Sequence, residues 1–238
     1  MALPILNDKP KYTVAIPSLN KTVKFRPYLV KEEKILLLAM ESNDPKQILQ
    51  SIFDTIVACI VDDFDSSKLT TFDLEFLFLK IRSKSVGERA PLLFSCANKE
   101  CNHQNEHTFS IDDVDLKIES KPNAKIPLTD TVSLKMKWPT YQEMIHDDVL
   151  DDDNKTKVAF SMITKCIDAI QTEEENLKIK DHTKEEIEAF IDALTSEQYR
   201  MITDYIESIP QLTHHIEFDC EKCGFHNVTD LKGINDFF

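Results

Sequence analysis

Glycine is almost missing from this chain, with three in 238 residues: Gly87, Gly224 and Gly233. Loops that cradle phosphate need several backbone N–H groups at close approach, and glycine is the residue that permits it. A P-loop or a dinucleotide-binding turn is therefore excluded. No Gly-x-Ser-x-Gly elbow and no His-Glu-x-x-His helix occurs either, and no constellation of side chains reads as an active site. Long apolar runs are missing too: none reaches the ~18 residues that span a bilayer, and the N-terminus lacks the apolar core of a secretory signal. Positive charge is scarce, with 28 Lys and Arg against 42 Asp and Glu and a net charge of -14. That balance argues against a broad nucleic-acid footprint, which needs basic surface.

Six cysteines are few for a disulfide framework in a chain of this length, and four of them form two close pairs. Metal binding in a reduced, intracellular protein is the expectation. The first pair is Cys96-Ala-Asn-Lys-Glu-Cys101 and the second Cys220-Glu-Lys-Cys223, 118 residues further on. Each follows an apolar lead-in, Pro91-Leu92-Leu93-Phe94 or Ile216-Glu217-Phe218. Each is followed by a residue that enters the left-handed conformation readily, Asn102 or Gly224. Two such knuckles supply the four soft ligands that zinc holds in a tetrahedron. Cys96, Cys101, Cys220 and Cys223 are thus expected to bind one structural Zn2+ per chain. A redox role for Cys220 and Cys223 fits less well, because such pairs sit where a strand meets a helix. Catalytic zinc fits less well again, since four thiolates leave no open position. His103, His107 and His226 lie near enough to substitute for a cysteine. Cys59 and Cys166 fall within apolar helical patterns and read as small core residues.

With 42% hydrophobic and 29% charged residues the chain can bury a sizeable core, as one large domain or two ordinary ones. After a loose tail, Tyr12–Ile16 and Thr22–Phe25 read as a hairpin that Arg26-Pro27 stops. Val30–Ser42 reads as a helix burying Ile35-Leu36-Leu37-Leu38. Asn43-Asp44-Pro45 caps the next helix, with the face Ile48, Ile52, Ile56, Cys59 and Ile60. Thr70 or Thr71 opens a third helix, running through Ser83, apolar almost all round and so central. The alternation of Phe72, Leu74, Phe76 and Phe78 admits a strand there as the lesser reading. Gly87 marks its end, and Thr108–Ile111 leaves the first knuckle as a strand.

The order then recurs. Ile126–Leu128 and Val132–Trp138 suggest a hairpin ending at Pro139, Tyr141–Ile145 a short helix, and Asp153 or Asn154 the cap of a helix with the face Val158, Met162, Cys166 and Ile170. Capping signals at Thr183 and Thr195 start two more helices before the second knuckle. The halves are offset by 112 residues at Pro27/Pro139, 107 at Cys59/Cys166 and 124 at Cys96/Cys220, with a polar insertion near Thr172–Asp181. These readings predict an α+β fold, mainly helical with short β-hairpins. Two similar halves, 12–117 and 118–238, follow a flexible tail, 1–11, and a zinc-ribbon-like four-cysteine site joins them into one compact unit. The run Asp147-Asp148-Val149-Leu150-Asp151-Asp152-Asp153 lacks the glycine and the terminal glutamate of a calcium loop and reads as solvated.

Two blocks resemble a known family. Ile16-Pro17-Ser18-Leu19 with Val23-Lys24-Phe25-Arg26-Pro27-Tyr28-Leu29-Val30-Lys31-Glu32-Glu33-Lys34, and Phe72–Phe78 with Arg82-Ser83-Lys84-Ser85-Val86-Gly87-Glu88, resemble the baseplate hub and hub-assembly proteins of T4-like phages. The resemblance covers about residues 12–115 well and the rest only generally. It implies a non-enzymatic, chaperone-like or structural late protein that meets the hub and tail proteins of a phage. It implies a place in the host cytoplasm during assembly or in the virion tail baseplate, with no membrane contact. The alternative is a zinc-ribbon nucleic-acid binder using Lys21, Lys24, Arg26, Lys31 and Lys34, part of a first 34 residues with seven basic side chains against three acidic. An unrecognised enzyme is a third reading, with no residues to name.

Overall fold

The computed structural model describes residues 9–118, 121, 123–145 and 155–233. Most of the tail, the acidic run at 147–153 and the cap expected at Asp153 or Asn154 lie outside the described residues. The chain divides into two units: Met1–Lys117 with Gln211–Phe238, and Ile118–Pro210.

In the first unit, strands β1 (Tyr12–Ile16) and β2 (Lys21–Phe25) form a hairpin whose Val14, Ile16, Val23 and Phe25 point inward. Helix α1 (Val30–Ser42) opens at Leu29, whose backbone N–H donates to the Glu32 carboxylate at 2.8 Å. Helix α2 (Pro45–Cys59) is capped by Asp44, which accepts from the N–H groups of Lys46 and Gln47. Helix α3 (Thr71–Ser85) is the centre of the unit. Its Phe72, Leu77, Phe78, Leu79 and Ile81 are buried, and Asp73 both closes the capping box with Thr70 and binds Ser18 in the β1–β2 turn. Of the four residues read as buried in α1 only Leu36 is, while Ile35, Leu37 and Leu38 are more than half exposed. Consecutive positions of a helix point in different directions, so a run of four cannot share one buried face.

Beyond α3 come strands β3 (Arg89–Ser95), β4 (Gln104–Ser110) and β5 (Asp115–Lys117). In the second unit, β6 (Lys125–Pro127), β7 (Ser133–Met136), β8 (Ile167–Gln171) and β9 (Asn176–Lys178) form one antiparallel sheet in that order. Helices α4 (Tyr141–Ile145), α5 (Lys155–Cys166), α6 (Lys184–Asp192) and α7 (Ser196–Glu207) complete it. Capping boxes at Thr183 and Thr195 start α6 and α7. The chain then re-enters the first unit, where β10 (Gln211–Asp219) pairs with both β5 and β11 (His226–Lys232). Gln211 lies opposite Lys117, so the second unit is an insertion between two paired residues.

The expected fold class is overturned on two counts. The protein is not mainly helical with short hairpins: strands build four sheets among the described residues, one of them four-stranded. Strands of three to five residues, such as β5, β8 and β9, are too short to leave a periodic trace. Ile170, assigned to a helical face, belongs to β8, because the helix stops at Cys166 and Ile167 and Ala169 turn inward from a strand. Nor do the cysteines join two similar halves as a zinc ribbon does. Both knuckles lie in the first unit, at the tips of hairpins from two separate sheets.

One local device occurs in each unit. Arg26, leaving β2, bonds the Glu32 carboxylate at the third position of α1, and its N–H donates to the Cys59 carbonyl at 2.9 Å. Lys137, leaving β7, pairs with Glu143 at the third position after Thr140, and its N–H donates to the Cys166 carbonyl at 2.7 Å. Cys59 and Cys166 are fully buried, and burial pushes their thiols up to about 11 and about 12. Both are inert core residues, as their apolar settings predicted.

Candidate metal centre

The cysteine site is built upward from a shared apolar floor. Leu79 of α3, Ala90 of β3, Phe109 of β4, Leu212 and Ile216 of β10 and Leu231 of β11 pack into one cluster. Above it Phe94 and Phe218 meet with ring centroids 5.7 Å apart, and His107 stacks 6.1 Å from Phe218. Apolar side chains on the inner faces of the two hairpins thus draw them together and bring their tips to the same place.

Each tip is a tight backbone turn. The Cys96 N–H donates to the His103 carbonyl at 2.8 Å, and the Cys220 N–H to the Phe225 carbonyl at 2.9 Å. Asn102 has φ +44° and Gly224 φ +67°, the left-handed geometry that lets the chain reverse directly after the second cysteine. The tips are also cross-tied. Asn227 accepts the Ala97 N–H at 2.8 Å, and Asn105 accepts the Glu221 N–H at 3.0 Å. The amide nitrogen of each donates to carbonyls of its own hairpin: Asn105 to Phe94 and His103, Asn227 to Phe218 and Phe225.

The four thiols consequently gather. Cys96 and Cys223 sulfurs lie 3.7 Å apart, Cys101 and Cys220 sulfurs 3.9 Å apart, and all four fall within 4.8 Å of one another. A tetrahedron with metal–sulfur bonds of ~2.3 Å has sulfur–sulfur edges of about 3.8 Å; the Cys96–Cys223 and Cys101–Cys220 pairs match that edge, and this donor set could hold a metal ion. Cys96 and Cys220 are buried and Cys223 is exposed. Burial raises the Cys220 thiol, but the N–H groups of Cys223 and Lys222 and the neighbouring thiols outweigh it and bring it to about 6. A thiol so placed is mostly ionised at neutrality and suited to metal binding. Burial raises Cys96 and takes Cys101 up to about 11.

Two of the three histidines near the knuckles have their rings engaged elsewhere, and none of the three joins the sulfur cluster. His107 packs on Phe94 and Phe218, His226 bonds Asp219 at 2.8 Å, and the His103 carbonyl serves the Cys96 turn. Among the basic residues weighed for nucleic acid, Lys21 bonds the Asp63 carbonyl, and Arg26 is spent on Glu32, Ala58 and Pro27. Lys31 shares Glu32 at 3.3 Å, and Lys34 is exposed. The sequence reading missed Asn105 and Asn227. A signal was present: an asparagine stands four residues after the second cysteine of each knuckle, and both are buried.

No curated protein and no solved structure matches the chain. The family described as T4 bacteriophage base plate protein matches residues 9–238, nearly the whole length, through both units and both knuckles. The chain belongs to that family.

Proposed function

We propose that the protein is a non-enzymatic part of the phage baseplate hub, or a factor that assembles the hub, and that it works through contacts with other baseplate and tail proteins. The family match over residues 9–238 carries this reading. The cysteine site supports it in kind, because four convergent thiols above an apolar cluster would fill a metal's four positions and leave none for a reacting water.

In this reading Cys96, Cys101, Cys220 and Cys223 hold one structural zinc per chain, with the two asparagines fixing the turns that present them. Bound zinc supplies cross-links between the β3–β4 and β10–β11 tips, and so ties the return of the chain at β10 to the body of the first unit. The protein's part is to keep that surface in one shape for its partners. A protein confined to assembly acts in the host cytoplasm, whereas a component is found in the tail baseplate. Nucleic-acid binding draws no support from a chain of net charge -14 whose Lys21 and Arg26 are already engaged.

The test is genetic and direct. Cells infected with phage lacking this protein should yield defective baseplates by electron microscopy, and the tagged protein should co-purify with identified hub or tail proteins. Intact baseplates without it, and no tail protein retained, would refute the reading. Mass spectrometry of purified tails separates a retained component from a released factor.

A further inference from the structure

The outer face of the β10–β11 hairpin carries a row of imidazoles and carboxylates that the cysteine site does not use. Side chains alternate along a strand, so His215, Glu217 and Asp219 of β10 share the exposed face with Asp230, Val228 and His226, their cross-strand partners on β11. The row is symmetric about Glu217. Asp230 stands opposite His215, Asp219 stands opposite His226, and Glu217 lies between the two histidines.

Each imidazole is held by one aspartate and turned toward the same glutamate. His215 Nδ1 meets Asp230 at 2.6 Å, and His226 Nδ1 meets Asp219 at 2.8 Å. A carboxylate only accepts, so both Nδ1 atoms carry hydrogen, and in the neutral rings both Nε2 atoms hold the lone pair. His215 Nε2 is 3.0 Å from Glu217 Oε1, and His226 Nε2 is 3.8 Å from Oε2, too long for a hydrogen bond. An imidazole fixed through its other nitrogen by a carboxylate is the arrangement that metal-ligating histidines adopt. Here it occurs twice about one carboxylate.

Nitrogen and oxygen ligands at ~2.0–2.2 Å from zinc stand about 3.4 Å apart in a tetrahedron, and the two nitrogen–oxygen separations fall on either side of that edge. All three side chains are a little over half exposed, so they can turn onto an ion without disturbing the core. Once both rings are neutral, the three carboxylates supply the charge that a dication needs.

We propose that His215, Glu217 and His226 form a second metal site, a two-histidine, one-carboxylate set for a first-row divalent cation such as Zn2+, with Asp230 and Asp219 orienting the imidazoles. Three protein ligands on an open strand face leave one position to water, so the site is weaker than four thiolates and empties on dialysis.

Titration of Zn2+ into the full metal-retaining chain at about pH 8 tests it, followed by calorimetry and by the imidazole signals in NMR. One further equivalent should bind with a Kd of about 1–50 µM, and the His215 and His226 ring signals should shift together. Those signals answer for this site whether or not the four thiols hold zinc. His215→Ala and His226→Ala should each weaken binding at least ~30-fold, and Asp230→Asn roughly ten-fold through the loosened ring. His182→Ala, in the second unit, should leave it unchanged. Variants that lose the ion but keep the wild-type thermal melt separate ligand loss from unfolding. Ring signals unmoved by about 1 mM Zn2+, or binding unchanged in His215→Ala and His226→Ala, would overturn the proposal.

Discussion

Asn105 and Asn227 hold each other's hairpin tips: Asn105 Oδ1 accepts the Glu221 N–H at 3.0 Å, and Asn227 Oδ1 accepts the Ala97 N–H at 2.8 Å. Each accepted N–H belongs to the residue directly after the first cysteine of the opposite knuckle. The two amides therefore set how the four thiols face one another, and they do so from buried positions on β4 and β11.

Truncating either amide should be costly. Asn105→Ala and Asn227→Ala should each lower stability by about 1–3 kcal/mol, because a tip N–H and two carbonyls lose their partner. Asn→Asp at either site should cost more than its lost bonds alone. A carboxylate cannot donate to Phe94 and His103, or to Phe218 and Phe225, and it adds negative charge beside the thiols. Urea denaturation of the metal-loaded variants gives the comparison.

The left-handed turns make a second test. At Gly224 nothing lies within 4 Å of an added Cβ, so the penalty for Gly224→Ala is backbone strain alone. It should be about 1–2 kcal/mol, and Gly224→Asn should cost clearly less, as Asn102 occupies the matching place in the other knuckle. Thermal melts of the two variants side by side measure the difference. Equal losses would mean that side-chain contact, and not φ, sets the cost.

Arg26 and Glu32 make a third. Burial raises the Glu32 carboxyl, but the Arg26 guanidinium and the Leu29 N–H outweigh that and hold it below the ordinary glutamate value; Lys137 and Thr140 do the same for Glu143. A carboxyl with a depressed folded pKa contributes stability that is present above its unfolded value, ~4.3, and lost as pH falls through the folded one. Stability should therefore decline below about pH 4.3, and Glu32→Gln should flatten that decline. Arg26→Ala should cost about 1–3 kcal/mol, since Glu32 would keep only the Leu29 N–H and the exposed Lys31, and Arg26→Lys should recover only part of it. Chemical denaturation across pH 3–7 checks both.

His215 offers a spectroscopic check. Its two ring nitrogens face Asp230 at 2.6 Å and Glu217 at 3.0 Å, and these carboxylates raise its pKa above 6.5. NMR titration should place it above the ordinary imidazole value, and Asp230→Asn should move it down. Its share of stability is present below the unfolded value and lost as pH rises through the folded one.

These tests follow the boundary of what the residues alone disclose. Capping chemistry made α2, α3, α6 and α7 legible, because Asp44, Thr70, Thr183 and Thr195 announce a helix start locally. The approach of the four cysteines was legible from their paired spacing. The side of α1 that faces outward was not, since an Ile-Leu-Leu-Leu run looks buried in any window and only the packing of α2 on one side of the helix decides otherwise. Nor was the return of the chain at Gln211, opposite Lys117, which depends on pairing between strands far apart in sequence. The asparagine ties were present as a repeated four-residue spacing, but their meaning lies in bonds spanning 116 and 130 residues.

Metal content tests most directly the proposal that one zinc holds the two hairpin tips. Protein purified without added metal should carry ~1 zinc per chain, and the Cys96→Ser/Cys220→Ser double variant should carry none and melt well below wild type, since the metal's binding energy is folding energy. Wild-type protein free of metal, with the stability of the zinc-supplemented sample, would contradict it.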